Sequence, residues 1–150
     1  MNVVACMHLV YRAIFYVLNR SKMKKKILIV DDSAPMRFLL EAMLGNKYKV
    51  YAATDGLTAT MWLSGGNIPD LIITDVQMPN IDGWQLAKNL AGNALYSDIP
   101  VIVLTGMDLK ENIPLYPNVA KVISKPFDPI KLLEIVDNQL STRQSVSIAG

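Results

Sequence analysis

Acidic, hydroxyl and ammonium side chains stand directly at the ends of short apolar runs in this chain. They are Asp31 and Asp32 after residues 27–30, Asp75 after 71–74, Thr105 after 101–104, and Lys125 after 119–124. If these runs are parallel strands of one sheet, the polar groups meet at its carboxyl edge, where open α/β sheets bind ligands. Three carboxylates, a hydroxyl and an ammonium at that edge describe a divalent-metal site beside an oxyanion, and therefore phosphate chemistry.

The grouping of three carboxylates predicts a bound cation. Carboxylates a few ångströms apart repel by roughly 4 kcal/mol per pair at an effective dielectric near 20. All-oxygen ligands favour Mg²⁺, and Cys6 and His8 are the only Cys and His residues, so no zinc ligand set exists. A metal-bound carboxylate can attack phosphorus as a nucleophile. Thr105 could donate a hydrogen bond to the arriving oxygens and Lys125 could neutralise their charge.

The elements that must position these groups alternate between strand and helix. Apolar periodicity and capping residues predict strands at 27–30, 48–52, 71–75, 101–104 and 119–124, and helices at 34–44, 56–63, 83–90 and 129–140. Lys49 and Lys121 mark the second and fifth strands as edges, because the other runs are continuously apolar. The pattern predicts a doubly wound α/β fold with five parallel strands in the flavodoxin-like order 2-1-3-4-5 and helices on both faces. Pro114 and Pro117 predict that the helix between the fourth and fifth strands is short or irregular.

Composition and charge narrow the class of protein. A chain of 150 residues fits one domain with surplus ends. Residues 23–140 hold all 13 acidic residues and 11 of the 15 Lys and Arg residues, so the predicted domain is mildly acidic and offers no basic face for nucleic acid. A single cysteine excludes an intrachain disulfide and agrees with a reducing, cytoplasmic setting.

The ends of the chain differ from the domain between them. Residues 1–22 are mostly apolar, but the run is short for a bilayer span and Arg12 stands near its middle. The order of apolar and basic residues does not fit a signal peptide. Two interpretations stay open: an extension from an upstream start codon, with Met23 as the natural beginning, or an amphipathic helix that docks on a membrane or partner. Residues 141–150 are polar and predict a disordered tail.

The motifs at the strand ends resemble a known family. The segments Ile27-Leu28-Ile29-Val30-Asp31-Asp32-Ser33 with Met36-Arg37, Asp75 with Met78-Pro79 and Asp82-Gly83, Val103-Leu104-Thr105-Gly106, and Lys125-Pro126-Phe127 occur in that order. Together they resemble a two-component response-regulator receiver domain, most closely the stand-alone type represented by the chemotaxis regulator CheY. The resemblance covers about residues 24–140.

This resemblance implies a role for each matching position. Asp75 would accept a phosphoryl group from a phosphohistidine on a sensor kinase. Asp32, Asp75 and the backbone carbonyl of Gln77 would hold Mg²⁺, and Asp31 would act largely through bound water. Thr105 would move toward the phosphoryl group and Lys125 would pair with it, while the small Gly106 would leave it room. The Lys125-Pro126 peptide bond is expected to be cis, as in the family.

Departures from the family pattern leave other functions open. The position three residues before the lysine usually holds an aromatic ring that reports phosphorylation, and here it is Val122. The absence of an aromatic ring at position 122 and the altered segment around Pro114 and Pro117 leave a second interpretation open. In that interpretation the chain is a receiver-like binding module that acts without phosphorylation. A phosphohydrolase of the haloacid dehalogenase type also uses a nucleophilic Asp, but Gln77 stands where that class carries a second acid. Met107, two residues after Thr105, cannot orient a water molecule, which predicts slow loss of the phosphoryl group.

The expected output is contact with other proteins and not catalysis. The chain ends after the last predicted helix, so we expect no DNA-binding or enzymatic output module. The partners would be a sensor histidine kinase or phosphotransfer protein and a downstream protein target, in chemotaxis or in a phosphorelay. We expect a monomer or weak dimer with no membrane span and no nucleic-acid partner.

Overall fold

The computed structural model describes residues 3–107 and 113–146, and a parallel sheet stands at its centre. Across the described residues the sheet has five strands in the order β2-β1-β3-β4-β5, which confirms the predicted topology. The strands are β1 Lys26–Val30, β2 Lys49–Ala53, β3 Leu71–Asp75, β4 Val101–Thr105 and β5 Val119–Ser124. The exposed side chains of Lys49 and Lys121 belong to β2 and β5, the two edge strands, where a charged side chain can stay in water.

Helices cover both faces of the sheet and give the doubly wound arrangement. They are α2 Ala34–Leu44, α3 Gly56–Ser64, α4 Gly83–Ala91 and α5 Pro129–Val146. A further helix, α1 Val3–Lys22, precedes the sheet. Side chains of Ser33, Asp55 and Asp82 accept hydrogen bonds from backbone N–H groups in the first turns of α2, α3 and α4, respectively. Such caps satisfy N–H groups that have no partner within the helix, so each of these helices begins where its cap stands.

The core divides into two clusters, one on each face of the sheet. Alternate residues of β1 show the division: Leu28 and Val30 pack against α3 and α4, whereas Ile27 and Ile29 pack against α2 and α5. All four side chains are fully buried or nearly so. Because successive side chains of a strand point to opposite faces, a continuously apolar run predicts a strand that is covered on both sides.

The connection between β4 and β5 is irregular where the structure describes it. Residues 106–107 and 113–118 form no helix, and Pro114 and Pro117 stand in the second of these stretches. The remainder of the predicted short helix falls on residues 108–112, which lie outside the described residues. Leu115 is 95% exposed. The proline-based expectation of an irregular segment therefore holds for the described part of this connection.

The carboxyl-terminal helix is longer than the sequence pattern predicts. We expected it to end at Leu140 and to be followed by a disordered tail from 141, but α5 continues to Val146. The prediction was wrong here because residues 141–146 contain no Gly or Pro, and extending an existing helix is much easier than nucleating one. Residues 147–150, the rest of the predicted tail, lie outside the described residues. The strand predicted at 48–52 lies one residue later.

The amino-terminal residues form the helix α1, which precedes the sheet. Every side chain described in α1, at residues 3–18, is exposed. Among the described residues, no helix is both long enough and apolar enough to cross a bilayer.

Candidate functional site

The strand register brings the polar groups identified in the sequence to one edge of the sheet. Val30 pairs with Thr74, and Asp75 pairs with Leu104, so Asp31 and Asp75 emerge side by side. Thr105 pairs with Ser124, which places Lys125 immediately beyond the sheet. The backbone N–H of Lys125 also donates to the carbonyl of Thr105 at 2.7 Å. All these residues lie at the carboxyl ends of their strands, where ligand crevices form in this architecture.

Three carboxylates cluster at this edge. Asp31, Asp32 and Asp75 each offer an oxygen atom, and these atoms all lie within 4.8 Å of one another. Asp31 is 1% exposed and Asp75 is 7% exposed, whereas Asp32 faces solvent. The cluster is therefore open on the side of Asp32 and closed on the side of Asp31. A small ligand can reach it from solvent.

The ammonium of Lys125 bridges two of these carboxylates. Its Nζ lies 3.0 Å from Asp75 Oδ1 and 3.3 Å from Asp31 Oδ2. Burial alone would lower the pKa of Lys125, but its hydrogen bond to Asp75 and the two negative charges outweigh burial and raise that pKa. Lys125 is therefore a fixed cation at the site.

The environment of Asp31 opposes its ionisation. Burial raises the pKa of Asp31 more than the hydrogen bond from the Ser33 N–H and the charge of Lys125 lower it. The nearby Asp75 acts in the same direction as burial. Both Asp31 and Lys125 have raised pKa values because Asp31 loses its hydration almost completely, while Lys125 is shared between two carboxylates.

The formal charges of the cluster fit a divalent cation. Three carboxylates against the one ammonium of Lys125 leave a net charge of −2. The ligand atoms at hand are oxygens, which Mg²⁺ prefers. Repulsion among the carboxylates disfavours the fully ionised cluster unless a positive charge is added. The burial of Asp31, which raises its pKa, acts in the same direction. The donor set thus has the charge and the chemistry of a magnesium site.

Thr105 and Gly106 lie beside the cluster at the end of β4. Thr105 is 3% exposed, and its Oγ1 accepts a hydrogen bond from the backbone N–H of Met107 at 3.0 Å. An added Cβ at Gly106 would meet no heavy atom within 4 Å, so open space adjoins this position. Gln77 lies in the exposed loop that follows Asp75. The peptide bond between Lys125 and Pro126 is cis, as expected.

Supporting contacts around Asp31 were not predicted from the sequence. Arg37 donates from Nη1 to the backbone carbonyl of Asp31 at 2.8 Å, and the N–H of Ser33 donates to Asp31 Oδ1 at 2.8 Å. These contacts hold the backbone and the carboxylate of Asp31 in place. The spacing from Asp31 to Arg37, which spans the first turn of α2, was the available signal, but only the fold shows that the guanidinium turns back toward β1.

Comparison with known protein families shows which family the chain belongs to. The family model for the response regulator receiver domain matches residues 27–137. The chain therefore belongs to the response-regulator receiver-domain family, whose members are phosphoacceptor signalling modules of two-component systems. The match begins at the second residue of β1 and ends in α5, so it includes all of the sheet except Lys26 and excludes α1.

Individual relatives agree with the family assignment. The response regulator Rre1 of Synechocystis sp. is 34% identical over 128 residues, which cover 83% of this chain and 55% of Rre1. The chain thus spans about half the length of that relative.

Solved structures agree on the fold. The chemotaxis response regulator CheY4 of Vibrio cholerae superposes with a TM-score of 0.67 at 29% identity, covering 79% of this chain and 100% of that one. The response regulator protein TrrA of Thermotoga maritima, solved in complex with Mg(2+)-BeF, has a TM-score of 0.68 at 30% identity, covering 77% of this chain and 99% of TrrA.

Proposed function

We propose that Asp75 accepts a phosphoryl group from a phosphohistidine of a sensor kinase or phosphotransfer protein, and that the phosphorylated chain signals by protein contact. The observation that carries this proposal is the position of Lys125 Nζ, 3.0 Å from Asp75 Oδ1 within a cluster of three carboxylates. A carboxylate that is buried, paired with a cation and still reachable through the exposed side of the cluster is suited to attack phosphorus.

The transfer exchanges one bond to phosphorus for another. An oxygen of Asp75 forms a bond to phosphorus while the bond from phosphorus to the histidine nitrogen breaks, and the leaving imidazole takes up a proton. Lys125 is placed to stabilise negative charge on the phosphoryl oxygens. Thr105 Oγ1 accepts a hydrogen bond from the Met107 N–H. The hydroxyl proton of Thr105 is not used in that bond, so it can be donated to a phosphoryl oxygen.

The carboxylate cluster also supports a role for Mg²⁺ in this reaction. Asp32, Asp75 and the backbone carbonyl of Gln77 would hold the ion, with Asp31 acting through bound water. When bound, Mg²⁺ supplies the positive charge that lets a carboxylate and a phosphoryl group approach each other. Arg37 and the Ser33 N–H keep Asp31 oriented toward the cluster by their contacts with its carbonyl and Oδ1.

Phosphorylation would act by shifting the population of conformations that partners recognise. The resemblance to the chemotaxis type favours chemotaxis or motility, and a phosphorelay that passes the group to a second histidine is the other pathway. In this chain the segment after Thr105 is irregular, and Val122 cannot perform the ring rotation of an aromatic residue. The hydrogen bond from Met107 to Thr105 offers a different link between the site and that segment.

Intact mass after incubation with acetyl phosphate tests this proposal. With Mg²⁺ present, we expect one added phosphoryl group on the full chain and none when the metal is chelated. Asp75→Asn should abolish the adduct because the nucleophile is gone. Asp98→Asn, which makes the same chemical change at an exposed position, should keep it.

Other outcomes would point to the alternative functions. A chain that is folded and binds Mg²⁺ but forms no adduct with acetyl phosphate or with a phosphohistidine donor would contradict the proposal and favour the phosphorylation-independent module. An adduct that persists in Asp75→Asn would show that a different residue is the acceptor. Sustained turnover of a phosphate ester would favour the phosphohydrolase.

A further inference from the structure

Within the part of the chain that the structure describes, the helix α1 presents a large apolar surface that the receiver fold does not use. It precedes the residues matched by the family model, which begin at 27. The side chains described in α1 are all exposed, including large ones such as Met7 at 69%, Phe15 at 59% and Leu18 at 61%. Soluble proteins rarely expose contiguous apolar patches of this kind, and such a patch marks a site of interaction.

Over residues 3–18 of α1, apolar side chains occupy most of the circumference, and His8 and Arg12 form a narrow polar stripe. Val3, Met7, Val10, Ile14 and Val17 follow helical spacing and share one face. His8 and Arg12 are four residues apart and lie on the opposite face, together with the small Ala5. A helix with this division can lie along an apolar boundary with the stripe of His8 and Arg12 turned to water.

The charge of α1 indicates what kind of surface it meets. The helix contains Arg12, Arg20 and Lys22 and no Asp or Glu, so it carries three positive charges. Residues 23–140 carry 13 acidic residues against 11 Lys and Arg, so the rest of the protein has the opposite sign. A purely basic apolar helix is complementary to an anionic surface with an apolar interior, and both properties belong to a bilayer that contains acidic lipids.

A second copy of α1 is a poorer match for the same face. The spacing of Val3, Met7, Val10, Ile14 and Val17 would also suit the seam of a helix pair, but it extends for only about two heptads. A paired helix would leave Tyr11 and Leu18 exposed beside the seam. It would also offer no carboxylate to Arg12, because α1 contains none.

We propose that α1 lies along the surface of membranes containing anionic phospholipids and attaches the receiver domain to them. The apolar face that contains Met7, Val10 and Ile14 enters the acyl boundary, and the net positive charge of α1 is attracted to the anionic lipid headgroups. Lys24 and Lys25 contribute little to this attachment, because Lys24 donates to backbone carbonyls of residues 45 and 46 and Lys25 pairs with Asp70. The proposal does not depend on the chemistry of Asp75.

Flotation of the full chain with vesicles tests the attachment. Vesicles of phosphatidylcholine with about a third phosphatidylglycerol should bind the protein at least about tenfold more tightly than vesicles of phosphatidylcholine alone. Raising the salt concentration should weaken this binding, since the charges lie at an exposed surface.

Two matched variants distinguish the contribution of the apolar face to binding from the contribution of charge. Ile14→Asp and His8→Asp each add one negative charge to α1, on opposite faces. His8→Asp should weaken binding about fivefold, as expected for one charge near the surface. Ile14→Asp should weaken it at least about tenfold further, because its carboxylate would have to enter the apolar boundary.

Three results would overturn the proposal. The first is no binding to either vesicle, and the second is equal loss in the two variants, which would leave the apolar face without a role. The third is a dimer that sedimentation velocity detects in the absence of lipid and that the substitution Ile14→Asp dissociates. That result would show that the apolar face binds a second copy of the chain. A monomer in that measurement, with binding that depends on phosphatidylglycerol, supports the proposal.

Discussion

Gly83 lies against the backbone of Asp75 so closely that no side chain fits between them. A Cβ at Gly83 would stand 2.2 Å from the carbonyl oxygen of Asp75, and the N–H of Gly83 donates to the carbonyl of Val76 at 3.0 Å. The first residue of α4 therefore packs directly on the residue that we propose as the phosphoacceptor. This contact sets the path of the loop that joins them.

We expect Gly83→Ala to lower the free energy of unfolding by about 2–3 kcal/mol, since the added methyl group must push two backbone segments apart. Urea unfolding measures this change. Gly92→Ala is the matched control, because its Cβ would come no nearer than 3.7 Å to any neighbour and its φ of −81° suits alanine. The control should be neutral or slightly stabilising. Equal effects at the two glycines would contradict the steric argument.

The negative charge of Asp31 is expected to reduce stability in the absence of metal. Its side chain is buried and lies beside Asp75. Asp31→Asn keeps an acceptor for the Ser33 N–H and removes the charge, so it should raise the free energy of unfolding by about 1 kcal/mol in metal-free buffer. The stabilisation that added Mg²⁺ gives the wild type should shrink in the variant.

Urea unfolding with and without Mg²⁺ measures both effects, and Asp98→Asn is the control for the loss of one exposed charge. A variant that is less stable than wild type without metal would show that the ion pair with Lys125 outweighs the repulsion and the burial.

A contact between α5 and the two residues just before β2 gives a stabilisation that varies with pH in the acid range. Asp137 accepts hydrogen bonds from Lys47 Nζ at 2.8 Å and from the hydroxyl of Tyr48. Burial would raise the pKa of Asp137, but these two hydrogen bonds and the charge of Lys47 outweigh burial and lower it below 3.8. Because the folded pKa is below the unfolded one, the stabilisation is present above the unfolded pKa and is lost as pH falls through the folded pKa.

We therefore expect Asp137→Asn to be less stable than wild type by about 0.5–1 kcal/mol at neutral pH, a small value because Lys47 and Asp137 are partly exposed. The difference should be constant from neutral pH down to about one pH unit above the unfolded pKa of 3.8, and it should then shrink as pH falls through the folded pKa. Chemical denaturation across this pH range measures it. A difference that stays constant into strong acid would rule out the charge of Asp137 as its source.

The residue that follows Gly106 is expected to prolong the phosphorylated state. Met107 is 44% exposed beside the site and has no polar group in its side chain to orient a water molecule. We expect the phosphoryl group on the wild type to last well beyond seconds. Met107→Asn should increase the rate of its loss on the order of tenfold, which is less than the rate increase that a full general base gives. The decay of the intact-mass adduct measures both rates.

Leu115→Asn makes a comparable change at a side chain that is 95% exposed, and it should leave the lifetime of the adduct unchanged. A wild-type lifetime of only seconds would argue against the role of Met107.

The sequence by itself determined the topology and the group of residues at the sheet edge. Continuously apolar runs identify β1, β3 and β4 as central strands, since only strands covered on both faces can bury every side chain. Lys49 and Lys121 identify the edges. A polar residue directly after a buried parallel strand must emerge at the carboxyl edge, so the meeting of Asp31, Asp75, Thr105 and Lys125 follows from pattern and register.

The tertiary structure decided the contacts that depend on distances between elements far apart in the chain. Three contacts at the site depend on how separate elements pack. They are the sharing of Lys125 between Asp31 and Asp75, the hydrogen bond from Arg37 to the carbonyl of Asp31, and the packing of Gly83 on Asp75. The extension of α5 to Val146 likewise has no apolar periodicity to predict it, since Val146 is the only apolar residue among residues 141–146. Periodicity reports which face of an element is buried, whereas side-chain direction and close approach are set by the packing of one element on another.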